Sequence, residues 1–319
     1  MPSPASRVGF LTSHLSLLTS VAGQARAVTH RRLPPWLKRP LPAGGRMTIT
    51  RGVVRASGVA TVCQEAHCPN LTECWSHQTA TFMILGQRCT RRCGFCAVTT
   101  GRPGPPEPDE PERLAAAVAP LGLRHVVITA VARDDLKDEG AGQFAACIRA
   151  IRARVPAASI EVLPADMHAR PECLQTVLAA GPDVFNHNLE TVERLTPIIR
   201  PQAGYRRSLE ALRLVKQLRA NLPTKSGLML GLGESLDEIA QTLADLRAVH
   251  CDMVTIGQYL QPTPQHAPIA RFYTPAQFDA LGATARAMGF AGVACAPFVR
   301  SSYQAGSVYE QIQRVPAVC

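Results

Sequence analysis

Residues 62–98 read VCQEAHCPNLTECWSHQTATFMILGQRCTRRCGFCAV, and the rest of the chain is organised around them. Six of the eleven cysteines fall here, as two triplets, Cys63/Cys68/Cys74 and Cys89/Cys93/Cys96. Between the triplets, residues 79–86 form a β-branched and apolar run bounded by a glycine, the pattern of a buried strand. The second triplet therefore starts just past the C-terminal end of a strand. Groups of free thiols at such spacing suit a reducing compartment, since outside the cell they would be oxidised.

Downstream, the same kind of strand recurs. Candidates are residues 79–86, 125–131, 159–165, 184–190, 224–232 and 253–261, alternating with helical patterns near 110–121, 140–154, 171–180, 206–220, 235–249 and 274–288. Ser235 with Glu238, and Thr274 with Pro275 and Gln277, are capping-box starts, and Gly181 closes the helix before it. Six β-then-α units in strict alternation predict an α/β fold of the TIM type, with a parallel sheet and helices outside. Two units fewer than eight predict an incompletely closed six-unit (β/α) barrel, with its chemistry at the C-terminal ends of the strands.

The chain of 319 residues has 46% apolar and 5% aromatic residues, ordinary for an α/β enzyme. Its net charge of +10 is unevenly spread. Residues 1–64 hold nine Lys or Arg and no acid, which leaves 25 basic against 24 acidic residues elsewhere. No aromatic-interleaved basic stripe or nucleic-acid module follows, so nucleic acid is not the expected partner. Residues 8–23 are too short and too polar to span a bilayer, so no membrane role is expected. The expected organisation is a basic leader or disordered arm (1–32), an N-terminal cap (33–78) with Trp36 anchoring its Pro-rich start, a partial barrel (79–290) and a C-terminal segment (291–319). A cytoplasmic location is expected. The acid-free leader also has the look of a mitochondrial transit peptide, the alternative location, and Ala25–Ala27 carries a weak signal-peptide pattern.

Cys89, Cys93 and Cys96 have the spacing C-x3-C-x2-C. Three thiolates can hold three irons of a 4Fe-4S cube and leave the fourth open to a small chelating molecule. A zinc site is the other reading of these residues, although zinc normally takes a fourth Cys or His at close spacing. With Phe95 before the last cysteine, the spacing resembles that of the radical S-adenosylmethionine superfamily, where the open iron chelates the methionine moiety and the aromatic lies beside the adenine. The first triplet, C-x4-C-x5-C within QEAHCPNLTECW, resembles the auxiliary-cluster motif of lipoyl synthases. The blocks LPPWLK, FMILG, CTRRC, RDDL, NHNLETV, GLMLGLGE, IGQYLQPT and FVRSSY are similar to that family too, over roughly residues 33–306.

That resemblance implies two 4Fe-4S clusters, S-adenosyl-L-methionine as cosubstrate, and sulfur insertion at carbons 6 and 8 of a protein-bound octanoyl-lysine. By the same resemblance, the Cys89/Cys93/Cys96 cluster makes a 5'-deoxyadenosyl radical. The cluster on Cys63, Cys68, Cys74 and Ser302, the serine coming from the RSSY block, gives up its sulfide in two rounds. Implied contacts to S-adenosylmethionine are Phe95, Asn188, Glu190, Arg200, Gly231 and Glu234, the last two within the glycine-containing GLMLGLGE block. As local readings, Glu234 also suits a helix N-terminus, Arg200 a surface ion pair, and RSSY a capped chain end. Implied partners are the octanoylated lipoyl-carrier domains of 2-oxoacid dehydrogenase acyltransferases and the glycine cleavage H protein, a reductant such as ferredoxin or flavodoxin, and iron-sulfur assembly or carrier proteins. The basic arm is expected to help attract acidic carrier domains.

The sequence departs from the family's usual blocks at Ala130 and Ala132 (TAVARDDL in place of TSVDRDDL), at Gly94 and in LPADMHAR. Ala130 and Ala132, in place of Ser and Asp, remove two polar groups from an expected active-site rim without touching the cysteines. Cys147, Cys173, Cys251, Cys295 and Cys319 read as small buried hydrophobes, His67 as a loop residue and His187 as packed inward. A biotin-synthase-like sulfur insertion would lack the first triplet with RSSY. An iron-sulfur electron carrier or zinc module would not need the long β/α repeat.

Overall fold

A computed structural model describes residues 32–38, 46–77 and 79–313; the expectations for the leader and for Cys319 lie outside them. The described residues from Pro34 onward form one compact unit. An eight-stranded sheet runs in chain order through β1 (Ala60–Thr61), β2 (Thr81–Ile84), β3 (His125–Ala130), β4 (Ser159–Leu163), β5 (Val184–Asn186), β6 (Thr224–Leu230), β7 (Met253–Gln258) and β8 (Gly292–Cys295). β1 pairs antiparallel with β2, and every later neighbour is parallel. Among the described residues no ladder joins β8 back to the first strands, so the barrel is open, as the repeat predicts.

All six expected strands form. The sheet also gains β8 from the short stretch GVAC, which has too few β-branched or aromatic residues to announce itself. Gly292 is needed there because a Cβ would lie 2.7 Å from Met253 Cγ on the neighbouring strand. Strands β2 to β7 are buried almost end to end, as expected for a parallel sheet covered on both faces.

The cap contributes α1 (Arg46–Ser57), α2 (Val62–Glu65) and α3 (Leu71–Ser76). The barrel helices are α4 (Glu110–Val118), α5 (Ala141–Arg154), α6 (Pro171–Ala179), the single turn α7 (Thr196–Ile199), α8 (Tyr205–Leu218), α9 (Leu236–Ala248) and α10 (Pro275–Ala287), and α11 (Ala305–Gln313) follows the last strand. Both expected capping boxes are present, Ser235 with Glu238 and Thr274 with Gln277. Gly181, at φ +80°, ends α6. Trp36 donates its indole N–H to Tyr273 O at 3.1 Å, so the Pro-rich start of the cap is tied down as expected.

Inside the barrel, a fully buried ion pair joins Lys225 on β6 to Glu161 on β4 at 2.9 Å. Asn186 Nδ2 donates to the same carboxylate at 2.7 Å and His125 Nε2 lies 3.2 Å away. Burial alone would raise the Glu161 pKa, but the Lys225 charge, with hydrogen bonds from His125, brings it down to about 2.

Candidate active site

The loop after β2 carries the second triplet and is fixed from several sides. Leu85 and Gly86, both at positive φ, turn the chain out of the strand. Cys89 pairs with Thr100 as an isolated parallel bridge. Thr90 N donates to Ala132 O (3.1 Å), Gly94 N to Ile199 O (2.8 Å) and Ala267 N to Gly94 O (2.7 Å), which ties the loop to the ends of three other segments. His266 Nε2 sits 3.0 Å from Cys96 O.

Arg91, between the first two cysteines, is the deepest tether. Its guanidinium lies 2.7 Å from both Asp134 and Asp166, and Asp166 also accepts from Arg207 Nε at 2.8 Å. Asp166 is fully buried. Burial would raise its pKa, but the hydrogen bond and charge of Arg91 hold the carboxyl far below the usual carboxylate range. These tethers were not legible in the sequence, because Arg91 meets partners 43 and 75 positions away.

The amides of Arg91 and Ala132 point at Cys89 Sγ from 3.4 and 3.3 Å. Burial pushes the Cys93 thiol up to about 11 and the Cys96 thiol up to about 12. Such thiols ionise when a cationic partner takes the proton's place, so ligand binding and proton release are coupled here.

The first triplet lies on α2, the following turn and α3. Cys63 is buried, and burial raises its thiol to about 11. Cys68 N donates to Cys63 O at 3.0 Å and Cys74 N to Asn70 O at 2.9 Å. The C-terminal segment is fastened to this cap: Asn70 Nδ2 donates to Phe298 O (2.7 Å), Tyr303 Oη to Glu73 Oε1 (2.8 Å), and Thr81 Oγ1 to Ser302 Oγ (2.8 Å). Gly257 lets the segment cross β7, for a Cβ there would lie 1.9 Å from Val299 O.

A cavity of about 490 Å³ joins the two regions. Its wall includes Cys68, Ser301 and Ser302 together with Cys89, Cys93, Cys96 and Phe95. Asn188, Glu190 and Arg200 line it too, as do Ala130 and Ala132, which places the two departures from the family pattern on this rim. His67 also faces the cavity. His187 is packed inward, between Pro164 O at 3.1 Å and Ser208 Oγ at 3.0 Å, and burial lowers its pKa to about 4.

Gly231 and Glu234 are not part of the wall. Glu234 is buried and accepts from the amides of Gly231 (2.6 Å) and Leu232 (2.9 Å), so its carboxylate is used within its own turn. Gly231 is needed for packing, because a Cβ there would lie 2.3 Å from Gln258 Nε2. From the same GLMLGLGE block it is Gly227, Leu228 and Met229 that reach the cavity.

The donor set suits both an iron-sulfur cube and an amino-acid-bearing cosubstrate. Among the described residues, no three cysteine sulfurs lie mutually within 4.8 Å. A structural zinc takes four protein ligands, whereas three thiolates hold three irons of a cube and leave its fourth corner to the cosubstrate. Glu190, at φ +65° and half-buried, accepts from Asn188 Nδ2 at 2.9 Å. Burial raises its carboxyl, with the nearby Arg200 opposing. Arg200 is itself buried and donates to Leu189 O at 2.6 Å. Asn188 Oδ1 is buried without a hydrogen-bond partner, and a Cβ on Gly227 would lie 2.7 Å from it.

The chain is also similar to known proteins over most of its length. The profile of the radical SAM superfamily matches residues 83–246. The chain is 56% identical over 275 residues to lipoyl synthase of Methylococcus capsulatus, covering 86% of this chain and 85% of the relative. It is 50% identical over 290 residues to lipoyl synthase of Halalkalibacterium halodurans, covering 91% and 96%. Among solved structures, HydG, a maturase of the FeFe hydrogenase, superposes with a TM-score of 0.54 over 84% of this chain and 66% of its own, at 14% identity, which speaks to the fold alone.

Proposed function

Because this chain belongs to the lipoyl synthase family, within the radical S-adenosylmethionine superfamily, we propose that its two cysteine triplets divide one reaction between them. The activity is the family's: insertion of sulfur into an octanoyl chain borne by a lipoyl carrier, with a 4Fe-4S cluster and S-adenosylmethionine. In our reading Cys89, Cys93 and Cys96 hold that cluster. Cys63, Cys68, Cys74 and Ser302 hold a second one, whose sulfide goes to carbons 6 and 8. When bound, the first cluster with S-adenosylmethionine supplies the radical that removes unactivated hydrogens, and the second supplies the sulfur, chemistry that no side chain can provide.

The protein's own share is binding, orientation and exclusion of water. Arg200 offers a guanidinium to a carboxylate, and Glu190 beside it offers a carboxyl to an ammonium group, matching the two ends of a methionine moiety. Phe95 provides an aromatic face for the adenine. Met83, Val131 and Leu228 give the cavity an apolar wall that suits an eight-carbon chain and keeps out water. Residues 33–78 act as a cap and the barrel runs from 79 past the expected 290 to the end of β8 at 295, with the described residues after it as a closing segment.

The finer partners follow from this reading: carrier domains of 2-oxoacid dehydrogenase acyltransferases and the glycine cleavage H protein, a ferredoxin or flavodoxin as reductant, and iron-sulfur carrier proteins. Among the described residues no helix is long and apolar enough to cross a membrane, and we assign the chain to the cytoplasm.

The observation that carries the reading is that Cys68 and Ser302 line the same cavity as Cys89, Cys93 and Cys96, since one octanoyl chain would have to reach both clusters. Mass spectrometry of an octanoyl-lysine peptide after anaerobic turnover tests it. Ser302→Ala is expected to keep cleaving S-adenosylmethionine while forming little lipoyl product. An unchanged lipoyl yield would remove the serine from the mechanism.

A further inference from the structure

We propose that Thr81 is a positioning residue that presents the Ser302 oxygen as fourth ligand of the second cluster. This rests on the reading that Ser302 is such a ligand. Thr81 opens β2, is 5% exposed and is held in register opposite Val127 on β3. Its hydroxyl donates to Ser302 Oγ at 2.8 Å, across 221 positions of sequence. Of the adjacent serines 301 and 302, this contact selects the second.

A serine oxygen has two lone pairs and a single proton, so accepting from Thr81 leaves an electron pair to face iron. Oxygen binds such iron less firmly than thiolate does, so its occupancy depends on what orients it. A hydrogen bond to an oxygen anion is stronger than one to a neutral hydroxyl, so the Thr81 contact favours the ligated form. The turn around Ser302 has other anchors, Asn70 to Phe298 and Glu73 to Tyr303. Removing the Thr81 hydroxyl therefore acts on the oxygen without releasing the segment.

The test uses the full chain with Cys89, Cys93 and Cys96 changed to Ala, reconstituted with iron and sulfide so that only the second cluster is loaded. Iron loss to a chelator is followed by absorbance. Thr81→Val is expected to speed that loss about tenfold, the lower end of what losing a hydrogen-bond partner of a metal ligand costs in affinity, and Thr81→Ser to restore the original rate. In a Ser302→Ala background, Thr81→Val should change nothing further. If Ser302→Ala speeds iron loss but Thr81→Val leaves it as in the parent chain, the proposal fails while the serine ligand stands. If Thr81→Val speeds loss equally in the parent chain and in the Ser302→Ala background, its effect is general packing and the proposal is overturned. If Ser302→Ala itself changes nothing, the underlying ligand assignment fails, and this inference fails with it.

Discussion

Replacing Asp166 by Ala tests whether the cluster loop is held by charge burial. Asp166 is completely buried and accepts from Arg91 at 2.7 Å and from Arg207 at 2.8 Å. Removing one member of a buried pair leaves the other charge uncompensated and costs about 3–5 kcal/mol. Arg91 would keep Asp134, and Arg207 is partly solvated and keeps Gln202 O, so the lower end, about 3 kcal/mol, is the expected loss. Asp134→Ala should cost less, about 1 kcal/mol, because that carboxylate is partly exposed and water replaces part of what it provides. Urea unfolding of the iron-free, reduced chain, read by circular dichroism, gives both values. Iron content after reconstitution should fall further in Asp166→Ala than in Asp134→Ala, since the loop between Cys89 and Cys93 loses its inner tether. A loss below about 0.5 kcal/mol for Asp166→Ala, the range of neutral surface changes, would refute the argument.

Lys225→Met should cost about 3 kcal/mol by leaving the Glu161 carboxylate buried without its cation, measured by the same urea titration. The pH dependence has a definite sign. With a folded pKa of about 2 against an ordinary 4.5, Glu161 contributes stability above pH 4.5 that is lost as pH falls from there towards 2. That window amounts to about 3 kcal/mol and should shrink in Lys225→Met, where His125 and Asn186 still reach the carboxylate; its persistence at full size would assign the acid sensitivity elsewhere. Gly257→Ala is expected to dislodge the closing segment, because Val299 O would sit 1.9 Å from the new Cβ; faster proteolysis after Phe298 would report it, and an unchanged pattern would contradict the crossing. Reconstitution should load about eight irons per chain, falling to about four when either cysteine triplet is changed to Ala, and a variant of the Cys63/Cys68/Cys74 set that still loads eight would exclude a second cluster there.

The sequence alone determined much of this protein. Strand runs such as 125–131 and capping boxes such as Ser235 with Glu238 are local signals, fixed by side-chain period and by hydrogen bonds within one turn, so they survive without tertiary context. The C-x3-C-x2-C spacing just past a strand is local in the same sense. What only the tertiary structure decided is every contact between distant segments: Arg91 with Asp166, Thr81 with Ser302, and Cys68 on the same cavity as Cys89. It also decided that Glu234 spends its carboxylate on its own turn while Gly227 reaches the cavity, because the handedness and length of a turn, not its composition, aim a side chain. The short strand β8 belongs to the same class, since GVAC has little strand preference of its own and takes that shape only because β7 offers an unpaired edge.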